Sequence, residues 1–182
     1  MKKGFTLIEL LIYISLVTIV IGGIILFAGD LLYGRVKSTT QQEVAANMRF
    51  ASKRLLFEIR NASAINWIQS DDLCLSTREI TYNPTRLHVY NGRLRIGWGG
   101  GSSDCSALIH TQFLTSNLVT VTNLKFTNLS TPKTKNVQFS ISISHNNPSG
   151  RKEWQLNQTS TSSAELRAVN SPTPTPTEGD DD

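Results

Sequence analysis

The sequence predicts an α+β protein in which one long N-terminal helix, half apolar and half amphipathic, packs against a mainly antiparallel β-sheet head. Three observations predict it. Residues 5–28 hold a single charge, Glu9. Residues 44–62 carry apolar side chains at helical spacing. From Leu73 onward the apolar period changes to two. At 182 residues the chain suits one domain with appendages. Composition excludes a coiled coil, a collagen-like chain and a disulfide-dense mini-protein. A single long apolar run excludes a polytopic membrane protein.

The apolar run is long enough to cross a bilayer core, since about twenty helical residues span about 30 Å. Lys2 and Lys3 precede it and should stay cytoplasmic. The rest of the chain then faces the periplasm or the exterior. The run is too long for the core of an ordinary signal peptide, and Leu26-Phe27-Ala28 is not a small-x-small cleavage site. No cysteine follows for lipid attachment. Glu9 does not fit a plain anchor, because a carboxylate in an apolar span needs a partner. A cut after Gly4 would give Phe5 a free amine about one helical turn from Glu9. Glu9 then neutralises either that amine or the amine of a neighbouring subunit.

Lys-Lys-Gly-Phe-Thr-Leu-Ile-Glu-Leu-Leu, at residues 2–11, resembles the class III signal of type IV pilins and type II secretion pseudopilins. The resemblance covers about ten residues and is specific. It implies cleavage between Gly4 and Phe5 by a prepilin peptidase, N-methylation of Phe5 by the same peptidase/methyltransferase, and a role for Glu9 in guiding the subunit into a filament. It implies as partners other major and minor pilins or pseudopilins and an inner-membrane assembly platform. Location follows: a single-pass inner-membrane protein with a cytoplasmic N-terminus, later part of a filament. One departure stands out. Many major pilins bend this helix at a proline and this span has none, so Gly22, Gly23 and Gly29 are its only weak points.

Val44, Met48, Ala51, Leu55, Ile59 and Ala62 step by three or four and mark one buried face of a continuing helix. Arg49, Lys53 and Glu58 fall on the wetter faces, and the helix should end near residues 61–63. Residues 47–62 resemble the equivalent helix of minor J-type pseudopilins and PilW-like subunits, through Arg54, Leu55, Glu58, Ile59, Arg60 and Ala62. That likeness implies a place at the filament tip, where minor subunits prime assembly.

The head reads as short strands at 79–83, 87–91, 93–98, 117–127 and 137–144, with one or two more inside 152–167. Turn signals stand at Asn83-Pro84 and Asn91-Gly92. The resulting sheet must cover the helix stripe. In domain terms, a leader occupies 1–4, a membrane and filament-core helix 5–28, an amphipathic stalk 29–65, the head 66–170 and a Pro/Thr-rich acidic tail 171–182. The tail alternates proline with threonine and should be extended and solvated.

Cys74 and Cys105 are the only cysteines. Outside the cytoplasm a disulfide is the favoured reading, and two separate buried thiols the alternative. A loop of that length would contribute about 3 kcal/mol. No Cys-x-x-Cys pair or neighbouring histidine suggests a metal site. Residues 97–103 are glycine-rich but lack a phosphate-loop ending, so they read as a hairpin connection. Trp98 at their edge reads as core rather than contact. His88, His110 and His145 have no recognisable catalytic partners. Asp71-Asp72 lacks the spacing of a calcium loop. Asn61, Asn128 and Asn157 fit the glycosylation pattern, whose use a bacterial-type signal makes doubtful. These readings assign no catalytic residue, no metal and no cofactor.

Between residues 31 and 170 there are 16 Lys or Arg and 8 Asp or Glu, a local charge of +8. The basic residues are scattered, which favours ordinary solvated charge over a nucleic-acid partner. The reading is a structural subunit of a type IV pilus or type II secretion pseudopilus. Its rivals are a minor pilin that binds DNA or a surface, and a plain membrane-anchored head.

Overall fold

A computed structural model describes residues 6–167, except 102, 149, 152 and 153. The leader 1–4, Phe5 and the tail 171–182 therefore lie outside the described residues. Helix α1 (Leu7–Asn61) runs unbroken through Gly22, Gly23 and Gly29. Its first half packs against no other element: the large apolar side chains from Leu7 to Tyr33 are exposed, save the half-buried Val17. Burial begins at Thr40 and then follows the stripe, with Val44, Met48, Ala51, Leu55 and Ile59 inaccessible or nearly so.

The helix stops at Asn61, within the expected 61–63. Ala62 turns to extended backbone, and its N–H bonds the Ile59 carbonyl. Strand β1 (Ala62–Ile68) follows at once and pairs with β2 (Asp72–Thr77). A five-stranded antiparallel meander continues through β3 (Thr85–Tyr90), β4 (Arg93–Trp98) and β5 (His110–Phe113). Asn91 and Gly92 both have positive φ between the paired Tyr90 and Arg93, which makes the two-residue turn whose twist suits a hairpin. A second sheet holds β6 (Val119–Asn128), β7 (Asn136–His145) and β8 (Asn157–Glu165). The head is thus an α+β body with two antiparallel sheets rather than one.

One core joins the three layers. It contains the helix stripe, Leu73, Leu75, Leu87, Leu94 and Ile96 of the first sheet, and Val137, Phe139, Ile141 and Ile143 of the second. The helix approaches the second sheet most closely, at β8 and β7. Ser160, Ser162 and Ala164 of β8 lie opposite Ile141, Phe139 and Val137 in the register. Small side chains at those positions leave room for a helix close to the strand.

Two expectations are corrected. Residues 79–83 are not a strand: Ile80–Tyr82 is a 3-10 turn ending at the cis Asn83-Pro84 bond. Proline cannot donate to a sheet ladder, so pairing resumes only at Thr85. Glu58 is not on a wet face but buried, one turn from Arg54. A cation at that spacing satisfies it inside the junction of helix and head, which the apolar stripe alone does not reveal.

Candidate functional site

Thr6 caps α1 and Glu9 closes a capping box with it. The Thr6 N–H and hydroxyl donate to the Glu9 carboxylate at 3.3 Å each, and the Glu9 N–H donates to the Thr6 hydroxyl at 3.4 Å. A carboxylate here satisfies orphan donors and complements the positive end of the helix dipole. Glu9 is thereby turned back toward the chain's N-terminal end. Further along, the span hides its other polar groups. The Ser15 hydroxyl donates to the Ile12 carbonyl and that of Thr18 to the Ser15 carbonyl, both at 2.8 Å. Backbone self-satisfaction of this kind is what a lipid or filament interior demands. Nothing lies within 4 Å of a Cβ placed at Gly22, Gly23, Gly29 or Gly34, so no contact within the chain requires these glycines. Gly4 and Phe5, the residues assigned to cleavage and methylation, lie outside the described residues.

Where the stalk meets the head, Arg54 contacts Glu58 at 2.6 Å. Burial pushes the Glu58 carboxyl above its ordinary range, and the Arg54 charge partly opposes this. A shallow cavity of about 460 Å³ opens beside the pair, lined also by Phe57, Arg78 and Tyr82.

The outer face of the first sheet is ordered by arginines over rings. Asp72, His88, Arg95 and Phe113 form one row across four strands. The Arg86 Nε donates to both Asp72 oxygens, at 3.0 and 3.1 Å. Arg86 also sits over Trp67 at 5.6 Å, Arg95 over Tyr90 at 4.9 Å and Arg93 over Phe113 at 4.0 Å. Asp72 is therefore an ion-pair partner, not half of an acidic cation loop. Burial lowers the His88 pKa, and Asp72 works against it.

The glycine-rich segment leaves β4 and crosses the same face. Cys74 and Cys105 are joined by a disulfide with Cα atoms 6.1 Å apart. The Asn66 amide donates to the Ser103 carbonyl at 2.7 Å and the Trp67 indole to the Asp104 carbonyl at 3.2 Å. Sequence reasoning missed this seating, although the glycines signal it. A Cβ at Gly97 would stand 2.5 Å from Leu108, and one at Gly100 would stand 1.8 Å from the Ala107 carbonyl oxygen. Trp98 is half-buried at the core edge, with its ring 5.5 Å from His110 and 6.1 Å from Tyr82. Each histidine lies on a strand beside an aromatic ring: His88 by Tyr90, His110 by Trp98 and His145 by Trp154.

No curated protein and no solved structure matches the chain. Residues 1–25 match the family described as the prokaryotic N-terminal methylation motif, which covers Gly4, Phe5 and Glu9. This motif marks pilin-type structural proteins and not enzymes. The chain thus carries, over its first 25 residues, the N-terminal motif of type IV pilin-like proteins on an α+β, pilin-like architecture.

Proposed function

We propose that this protein is a minor pilin or pseudopilin: a structural subunit of a type IV pilus or type II secretion pseudopilus that helps prime the filament at its tip. The observation that carries the reading is Glu9 at the cap of a helix whose first 27 or so residues find no partner within the chain. Such a surface needs lipid before assembly and other helices after it. A cut after Gly4 by the prepilin peptidase/methyltransferase would create the Phe5 amine one peptide unit from the Thr6 N–H that Glu9 already holds. Glu9 is then placed to pair with that amine or with one on an adjacent subunit. The tip assignment draws on the J-type and PilW-like resemblance of residues 47–62. Partners would be other pilins and the inner-membrane platform, with the N-terminus cytoplasmic.

The test is the intact mass and N-terminal sequence of the membrane-extracted protein, followed by Glu9→Val. A chain starting at N-methylated Phe5, which loses filament incorporation in the variant, supports the reading. An unprocessed Met1 chain in a host with an active peptidase leaves only a membrane-anchored head.

A second reading, a minor pilin that binds DNA, is favoured by the arginine and ring array on the first sheet. Stacked aromatics beside guanidinium groups suit single-stranded nucleic acid. Salt-sensitive binding that Arg93→Ala with Arg95→Ala weakens would support it. No binding at low salt removes it.

A further inference from the structure

We propose that the rim of the head nearest the apolar half of α1 is a docking surface for anionic phospholipid headgroups, formed by Leu118, Pro148, Arg151 and Trp154 together with helix residues 35–37. The proposal rests on the reading that the first half of α1 spans the membrane.

The helix itself supplies the ruler. Arg35 lies seven residues beyond Ala28, roughly 10 Å along the axis. The polar layer of a bilayer is about 5–8 Å deep on each side, so the Arg35 backbone stands a few Å outside it and the side chain, which leans toward the helix N-terminus, reaches back to it. A groove of about 560 Å³ begins at this level, between Arg35 and Val36 of the helix and Leu118, Pro148 and Trp154 of the head. Its lining is more apolar than that of the cavity beside Glu58. Leu118 is half exposed and lies outside the core cluster. Trp154 has its ring 5.7 Å from that of His145, and the Arg151 guanidinium stands over it at 5.7 Å. A tryptophan under an arginine, on the groove that opens at Arg35, is the kind of side-chain pair that suits a headgroup layer.

Charge agrees. Among the described residues of this rim and the adjoining helix turns, Arg35, Lys37 and Arg151 oppose Asp30 alone. Glu43 also lines the groove, but it lies about 12 Å farther from the bilayer along the helix. Its carboxylate accepts hydrogen bonds from Asn47 at 2.8 Å and Ser116 at 2.9 Å. Basic residues beside an anionic surface are attracted to it, so the rim prefers anionic lipid to a zwitterionic one.

The experiment uses the full chain in vesicles of phosphatidylethanolamine and phosphatidylglycerol, with bromine on the lipids close to the headgroup. Wild-type tryptophan emission should be quenched, and Trp154→Phe should abolish that quenched part, because Trp67 and Trp98 sit elsewhere on the head. Arg151→Glu should cut the quenching at least twofold. So should replacing the lipids by phosphatidylcholine, which needs no variant. Equal quenching in wild type and Trp154→Phe, or none in either, overturns the proposal. An Ile19→Trp variant with lipids brominated at mid-chain separates the two readings. If its emission is quenched while Trp154 stays dark to the headgroup bromines, the docking surface fails and the span stands. If Ile19→Trp is not quenched, the membrane reading falls and the docking surface with it.

Discussion

Arg54 and Glu58 lie one turn apart on α1, and their 2.6 Å ion pair sits where the helix enters the head, with the arginine side chain 38% exposed and the glutamate 9%. The pair is asymmetric: one partner can hydrate and the other cannot. That asymmetry decides what each substitution does. Burial raises the Glu58 pKa more than Arg54 lowers it, so the folded protein holds this proton more tightly than the unfolded chain. The resulting stability is fully present below the unfolded carboxylate pKa and is lost as pH rises through the folded one. Glu58→Gln should therefore be within about 1 kcal/mol of wild type or more stable at pH 7, with that advantage shrinking in acid. Arg54→Ala leaves the carboxylate buried without its cation. Breaking a buried pair costs about 3–5 kcal/mol, and the exposure of Arg54 reduces this to about 1–2. Urea unfolding in detergent at pH 4 and pH 7 checks both signs.

Two glycines of the crossing segment should respond differently to alanine. At Gly100 the new Cβ meets the Ala107 backbone oxygen at 1.8 Å, and φ is +100°. Backbone cannot yield cheaply there, so Gly100→Ala should cost about 2–4 kcal/mol. At Gly97 the obstacle is the end of the Leu108 side chain, which can rotate away. Gly97→Ala also gains from leaving a strand glycine. Its cost should stay near 1 kcal/mol. Thermal unfolding of the two variants side by side tests the ranking, and equal losses would refute the contact geometry.

The disulfide closes a loop of sequence separation 31. Chain entropy then gives about 3–4 kcal/mol of stabilisation. Cys74→Ser with Cys105→Ser should lower the denaturant midpoint accordingly, and reductant should lower the wild type to the same value. Because Asn66 and Trp67 also hold the crossing segment, the double variant should keep its fold. A reductant effect on the double variant would point to some other cause.

These cases show where the sequence was readable. Leu55 and its stripe partners were legible because a helix face buried on one side imposes its period on the apolar residues. Strands β3, β4, β6 and β7 were legible because they alternate. Strand β1 was not: Ala62 follows the stripe in register, and no glycine or proline marks the break. Strand β5 is four exposed residues with no alternation. Strand β8 turns the half-buried Ser160 and Ser162 and the buried Ala164 inward, so its inward side looks polar. At the site, Glu9 stood out as a lone charge in an apolar run, whereas Glu58 looked like any surface glutamate. The arginine and ring array was invisible, because it depends on register across four strands.

Phe57 offers the sharpest contrast with Leu55, two residues before it. Leu55 is fully buried, while Phe57 is 55% exposed, as is Phe50 two turns earlier on the same helix side. Leu55→Ala should cost about 2–5 kcal/mol through the cavity it leaves. Phe57→Ala removes only a ring lying 5.4 Å from the Arg54 guanidinium, a contact worth about 0.5–1 kcal/mol at an exposed site. On stability alone, then, Phe57 is dispensable. In a filament of helices packed side by side, an exposed ring on the stalk is available to a neighbour. Phe57→Ala should therefore leave the unfolding midpoint nearly unchanged while reducing co-purification with other filament subunits. Leu55→Ala should reduce both together. If Phe57→Ala lowers stability as much as Leu55→Ala, the ring packs within the chain and the helix face it marks is not open to a partner.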